Sequence, residues 1–206
     1  MNNHPSANFK QIHLDPDLLS KPFQTQTNWH VIAGAPSAGK TTLIKLLSDQ
    51  GFNTAPEPAR LYMDAEFAKG RTIQEIRQDQ KKLQHTFFML QQDMESHLNP
   101  DDIIFLDRGI PDQFTYCRIA GVNPNKFAKD CFRRQYKTVF ILEPLPFDKD
   151  GYRDPEAEIV DYFDEWITRD YQALGYSTVR VPILSLEERM NFILKRLSLP
   201  KLDPHQ

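Results

Sequence analysis

Short apolar runs alternate along this chain with longer stretches in which apolar positions recur every three or four residues. That alternation predicts strands joined by helices, hence a parallel sheet covered on both faces. "WHVIAG" (29–34) reads as the first strand. "GKTTLIKLLSDQ" follows as a helix with Leu43, Leu46 and Leu47 on one face and Gly51 as its stop. "FNTA" reads as a short second strand, and Pro56 and Pro58 break the chain before a helix near 59–69.

Thr72 and Glu75 fit a capping box, expected to open one long helix. Its stripe is Ile73, Ile76, Leu83, Phe87, Leu90, Met94 and Leu98, a buried face over about seven turns. "DIIFLDRG" (102–109) suits a central strand buried on both faces. Pro124 looks like a helix start. "KTVFILEP" (137–144) and "STVRVP" (177–182) read as the fourth and fifth strands. Pro155 opens a helix to about Leu174. Ser185 and Glu188 form a second capping box, leading a last helix to about Leu197.

The 206 residues suit one domain, expected over 28–198, with an irregular tail at 1–27 and a short one at 199–206. The tail is expected to drape over the domain through Phe9, Ile12, Leu14, Leu18 and Leu19; a partner-binding arm is the other reading. Hydrophobic residues at 40% and charged residues at 26% indicate a folded globule. A net charge of -3 gives no general pull toward nucleic acid or anionic membrane. No apolar run approaches the roughly 20 residues that span a bilayer, and the first residues lack the apolar segment of a secretory signal. Cys117 and Cys131 form no disulfide framework and are expected as reduced thiols. The expected compartment is therefore the cytoplasm.

Chemistry enters with "GAPSAGKTT". It spans Gly34, Ala35, Pro36, Ser37, Ala38, Gly39, Lys40, Thr41 and Thr42, and it matches the spacing G-x-x-x-x-G-K-[ST]. Glycines let successive backbone N–H groups turn toward one phosphate, and the following helix adds its N-terminal partial charge. Lys40 then places a cation at the β- and γ-phosphates, and the Thr41 hydroxyl is a candidate Mg²⁺ ligand. The loop lies after an apolar strand and before an amphipathic helix, the context the motif requires.

Other candidates gather at strand ends, where open α/β sheets bind ligands. Asp107 is a second candidate metal residue, and Arg108 faces the phosphates or the acceptor. Asp112 is either a helix-dipole partner or a contact to a substrate hydroxyl. Glu57, stiffened between two prolines, is a candidate base for an attacking hydroxyl, and Arg60 a candidate acceptor ligand. Both also fit an exposed loop with a surface ion pair. Between the fourth strand and the long helix, Arg153 with Lys149 and Gly151 fits a mobile lid over a triphosphate; a charged loop is the alternative. Arg133 and Arg134 read as a solvated helix face.

In order, "GAPSAGKTTL", "PEPAR", "FLDRGIPD", "LEPLPFDKDGYR" and "VPILSLEERMNFIL" resemble a group of small AAA-domain ATPase/kinase proteins. That group is similar to the ribosylnicotinamide kinase domain of bacterial NAD-biosynthesis regulators. The resemblance covers roughly residues 28 to 198. It implies a P-loop NTPase of nucleotide-kinase-like, three-layer α/β/α class, with a five-stranded parallel sheet in order 2-3-1-4-5. It also implies ATP or GTP as donor, Glu57 as the base, Asp107 and Arg108 as the acidic–arginine pair, and Arg153 as the lid arginine. The segment 182–185 would lie near the nucleotide base. Two activities follow: a phosphotransferase acting on a small hydroxyl acceptor, or a nucleotide-dependent switch acting through a protein, lipid or nucleic-acid partner.

Overall fold

In the computed structural model, which describes residues 11–145 and 155–201, five strands run parallel in one sheet. They are β1 (Trp29–Ala33), β2 (Asn53–Ala55), β3 (Ile104–Asp107), β4 (Thr138–Leu142) and β5 (Thr178–Val181). Their order across the sheet is β2-β3-β1-β4-β5, the order that the family resemblance implies. The apolar runs become strands because both faces are covered. Trp29, Val31 and Ala33 point into one core, and Ile32 points into the other.

The longer helices are α1 (Lys40–Asp49), α2 (Pro58–Ala68), α3 (Gln80–Ser96), α4 (Asp112–Ile119), α5 (Pro155–Ala173) and α6 (Leu186–Leu197). Leu43, Ile44 and Leu47 of α1 join Met190, Ile193 and Leu194 of α6 on one face of the sheet. Phe88 of α3, Phe114 of α4, and Phe163, Ile167 and Tyr171 of α5 cover the other. The outcome is the three-layer arrangement, with α2 packed against α3.

One helix differs from expectation. The Thr72 capping box is real, but it opens only the single turn Ile73–Ile76. Asp79 then caps a new start by accepting from the Lys82 N–H, and α3 begins at Gln80. A competing N-cap three residues past the first turn splits the stripe.

The chain before β1 lies on the domain. Leu14 enters the core, Leu18 and Leu19 pack against it, Arg118 Nε donates to the Ile12 carbonyl at 2.7 Å, and Asn125 Nδ2 donates to the His13 carbonyl at 3.1 Å. Phe9 lies outside the described residues. Cys117 and Cys131 are buried free thiols, and burial pushes Cys117 up to about 12. Among the described residues no helix is long and apolar enough to cross a membrane.

Register decides where ligands gather. Ile32 pairs with Asp107, and Ala33 pairs with Ile141, so the chain leaves β1 between the carboxyl ends of β3 and β4. That is the switch point of the sheet.

Candidate functional site

The loop after β1 is built from backbone conformations that side chains resist. Gly34 has φ 137°, and a Cβ there would lie 2.9 Å from the Leu142 carbonyl oxygen of β4. Ser37 at φ 62° and Gly39 at φ 89° are also left-handed. Such turns gather N–H groups into an anion-binding concavity. Gly39 caps α1 without any side-chain bond, so the first N–H groups of the helix stay free for an anion.

Lys40 is buried, and its Nζ donates to the carbonyls of Gly34 at 2.9 Å and Ala35 at 2.6 Å. Burial, followed by the Arg108 charge, lowers its pKa to about 7. Thr41 Oγ1 donates to Asp107 Oδ2 at 2.7 Å. Asp107 is buried at the end of β3; burial raises its pKa, and its Oδ1 has no hydrogen-bond partner among the described residues. A carboxylate with one oxygen on a hydroxyl and one bare and buried is a donor set that fits a hard cation.

Arg108 follows in a strained conformation, φ 75°, its N–H donating to the Ile32 carbonyl at 3.2 Å. That turn carries its buried side chain across to Glu57, where Nε lies 2.9 Å from Oε1. Glu57 is available for the pair because it precedes α2 without using its carboxylate as a cap. The Arg108 guanidinium also sits 5.2 Å from the Tyr116 ring centroid, and its Nη1 has no hydrogen-bond partner among the described residues.

Beneath this turn lies a buried polar network. Asp112 Oδ2 accepts from the Gly109 N–H at 3.1 Å and from the Tyr171 hydroxyl at 2.6 Å. Tyr136 accepts from the Ile110 N–H at 3.0 Å and donates to Glu95 Oε1 at 2.7 Å. Gln91 Nε2 reaches both Glu95, at 3.0 Å, and the Arg108 carbonyl, at 3.4 Å. A Cβ on Gly109 would lie 2.7 Å from the Tyr171 hydroxyl, so the turn presses directly on its support.

Next to Arg108 opens a cleft of about 390 Å³, within the range of small-molecule sites. Glu57 and Arg108 stand at one side, with Met63, Phe67, Phe87 and Tyr116 among its walls. Arg60 also lines it, and is mostly exposed with its Nε 3.9 Å from Asp64.

The structure thus brings Lys40, Thr41 and Asp107 together. The Arg108–Glu57 pair links them to the cleft that holds Arg60. Asp112 lies fully buried under the turn and does not line the cleft. Arg153, Lys149 and Gly151 lie outside the described residues.

Arg189 of α6 is a residue that the sequence reading missed. Buried behind the loop, it donates to the carbonyls of Ala38 at 2.7 Å, Pro182 at 3.2 Å and Glu143 at 3.3 Å. Within "SLEERMNF" it looks like any charged helix position. Gln113 was missed as well, although it directly follows Asp112.

A family model described as an AAA domain matches residues 29–189. A search of curated proteins returns no match. Two solved structures of a NadR protein are similar in fold. The complex with NR has a TM-score of 0.62 at 16% identity over 86% of this chain and 51% of that one. The complex with NAD and AMP-PNP has a TM-score of 0.59 at 15% identity over 84% of this chain and 50% of that one. This chain spans about half the length of those proteins.

Proposed function

The chain belongs to this AAA-domain family, and from that premise we propose that it is a phosphotransferase moving the γ-phosphoryl of ATP or GTP to a small hydroxyl acceptor. The observation that carries the reading is the Arg108–Glu57 pair, which sets a carboxylate at a cleft beside the phosphate loop. A nucleotide switch needs the loop but gives no role to a fixed carboxylate facing a walled cleft. The same fold in a NadR protein solved with AMP-PNP is in keeping with a triphosphate donor.

In this reading residues 34–42 hold the triphosphate, and Lys40 exchanges its two loop carbonyls for β- and γ-oxygens. Thr41 and Asp107 would hold Mg²⁺, which supplies neutralisation of phosphate charge when bound. Glu57 takes the proton from the acceptor hydroxyl as its oxygen bonds to the γ-phosphorus and the nucleoside diphosphate departs. Arg108 orients Glu57 and, with an Nη1 that has no hydrogen-bond partner among the described residues, faces the charge on the moving phosphoryl. Arg153 is the proposed lid cation. Arg60 lies at the acceptor end, and Asp112 holds the turn that aims Arg108.

The test is a screen of ribosides and other hydroxyl compounds with ATP and Mg²⁺, followed by ADP release. An acceptor should raise release above background. Glu57→Gln should lower kcat for it by about 10²–10⁴ without weakening ATP binding. If every acceptor leaves release at the acceptor-free rate, the phosphotransferase reading is wrong, and acceptor-independent hydrolysis would return the switch.

A further inference from the structure

Three consecutive residues after Asp107 lean on buried side chains. The Arg108 carbonyl accepts from Gln91 Nε2 at 3.4 Å, the Gly109 N–H donates to Asp112 Oδ2 at 3.1 Å, and the Ile110 N–H donates to the Tyr136 hydroxyl at 3.0 Å. Tyr136 touches the turn with its ring as well. A Cβ on Gly109 would lie 2.9 Å from Tyr136 Cε2 and 2.7 Å from the Tyr171 hydroxyl, so two tyrosines clasp the turn. Arg108 holds its φ of 75° here, and such a conformation persists only where its surroundings enforce it. The guanidinium depends on that support. Its Nε makes an ion contact with Glu57 at 2.9 Å, yet neither Nε nor Nη1 has a hydrogen-bond partner among the described residues. Its aim is therefore set largely by the backbone from which it projects.

Resting on the phosphotransferase reading, we propose that Tyr136 is a positioning residue for Arg108, although it does not line the cleft. Its hydroxyl accepts from the Ile110 N–H and donates to Glu95 Oε1 at 2.7 Å. Glu95 accepts in turn from Gln91, which reaches the Arg108 carbonyl. One buried hydroxyl thus ties both ends of the turn together through α3. Without it the Ile110 N–H loses its partner, the Glu95–Gln91 tie loses an anchor, and the strained turn can relax. Arg108 then drifts from Glu57, and a misplacement of about 1 Å near the reacting groups costs about 10²-fold in rate. Tyr176 provides the contrast. Its hydroxyl accepts from the Tyr136 backbone N–H at 3.3 Å and its ring stacks on Tyr136, but it bonds to nothing in the turn among the described residues.

Kinetics of Tyr136→Phe with the best acceptor from the screen test this. The variant keeps the ring, so the core stays filled. Its kcat should fall by at least about tenfold, while KM for ATP stays within about twofold because the phosphate loop is untouched. Tyr176→Phe removes a neighbouring buried hydroxyl and should leave kcat within about twofold, whatever it does to stability. In an Arg108→Lys background, where the guanidinium is gone, adding Tyr136→Phe should cost less than about twofold. A smaller loss in Tyr136→Phe overturns the proposal. So does an equal loss in Tyr176→Phe, or the full loss repeated in the Arg108→Lys background. NMR gives a readout that needs no turnover. The Arg108 Nε–H resonance, assigned by its absence in Arg108→Lys, should move when Glu57→Gln removes the charge beside it, and should move far less in Tyr136→Phe. No displacement in the parent, or an equal one in Tyr136→Phe, overturns the role of Tyr136. If Tyr136→Phe does not fold, Gln91→Leu cuts the same chain of bonds at its other end and carries the same expectations. If no acceptor is phosphorylated, the phosphotransferase reading falls and the resonance alone decides whether Tyr136 positions Arg108.

Discussion

Thr41 gives its hydroxyl hydrogen to Asp107 Oδ2 across 2.7 Å, and this one bond joins the first turn of α1 to the end of β3. The two residues are 66 positions apart, yet the register of β1 on β3 makes them neighbours. Burial raises the Asp107 pKa, while Thr41, Arg108 and Lys40 pull it back. Asp107→Asn keeps the size and one carbonyl oxygen but removes the charge. It should leave the Thr41 bond and the fold intact. The gain in ATP affinity on adding Mg²⁺ should fall by about 10–100-fold, while affinity in a chelator stays the same. Calorimetry with and without the metal checks both.

Arg189 leads to a second expected outcome. One guanidinium holds the phosphate loop at Ala38, the end of β4 at Glu143 and the segment after β5 at Pro182. Arg189→Met keeps much of the volume but leaves three carbonyls without this donor. Each such loss costs about 1–3 kcal/mol and the three share one site, so urea denaturation should show a loss of about 2–4 kcal/mol. Arg189→Lys, with a compact ammonium, cannot span all three and should recover only part. Because Ala38 sits inside the phosphate loop, both variants should also bind ATP more weakly, which calorimetry checks.

The reach of sequence reading follows from what each feature depends on. β1 and β3 were legible because burial on both faces leaves continuous apolar runs. The phosphate loop was legible because a strand-to-helix turn with φ 137° at Gly34 and φ 89° at Gly39 demands glycine at set places. Glu57 stood out between its prolines. The break between Ile76 and Gln80 was obscured because the apolar spacing continues through it, although Asp79 carried the cap. Arg189 and Gln113 were hidden for another reason. The partners of Arg189 are backbone carbonyls of the phosphate loop and of the segments that follow β4 and β5, and Gln113 Oε1 has no partner among the described residues; neither leaves a mark on local spacing.

Arg118 and Asp170 make a third case. Their two hydrogen bonds are both 2.6 Å, the side chains are 0% and 3% exposed, and the guanidinium lies 4.2 Å from the Trp166 ring centroid. Burial holds the Asp170 pKa up at about 6 despite the pair. Asp170→Asn strands a buried cation and should cost about 3–5 kcal/mol. Since Arg118 Nε also holds the Ile12 carbonyl, the segment around residue 12 should become more open to limited proteolysis. Adding Arg118→Met should restore much of the stability, because no unpaired charge is left in the interior. Denaturation of the single and double variants checks this.

Glu95 sets the pH dependence that should be simplest to isolate. It is fully buried on α3, with Oε1 accepting from Gln91 and Tyr136, and burial pushes its pKa up from an ordinary 4.5 to about 7. A raised carboxyl binds its proton more tightly in the folded chain than in the unfolded one. Its contribution to stability is therefore complete below about pH 4.5 and is lost as pH rises through about 7. Across that window the shift corresponds to about 3 kcal/mol. Asp112 and Asp170 have raised pKa values too, so the unmodified protein alone does not isolate Glu95. Glu95→Gln does, because its carbonyl oxygen can keep both accepted bonds while the proton is gone from the count. The stability difference between variant and parent, measured by urea denaturation, should swing toward the variant from pH 5 to pH 8. A difference that stays flat over that range would mean that Glu95 titrates as an ordinary carboxylate.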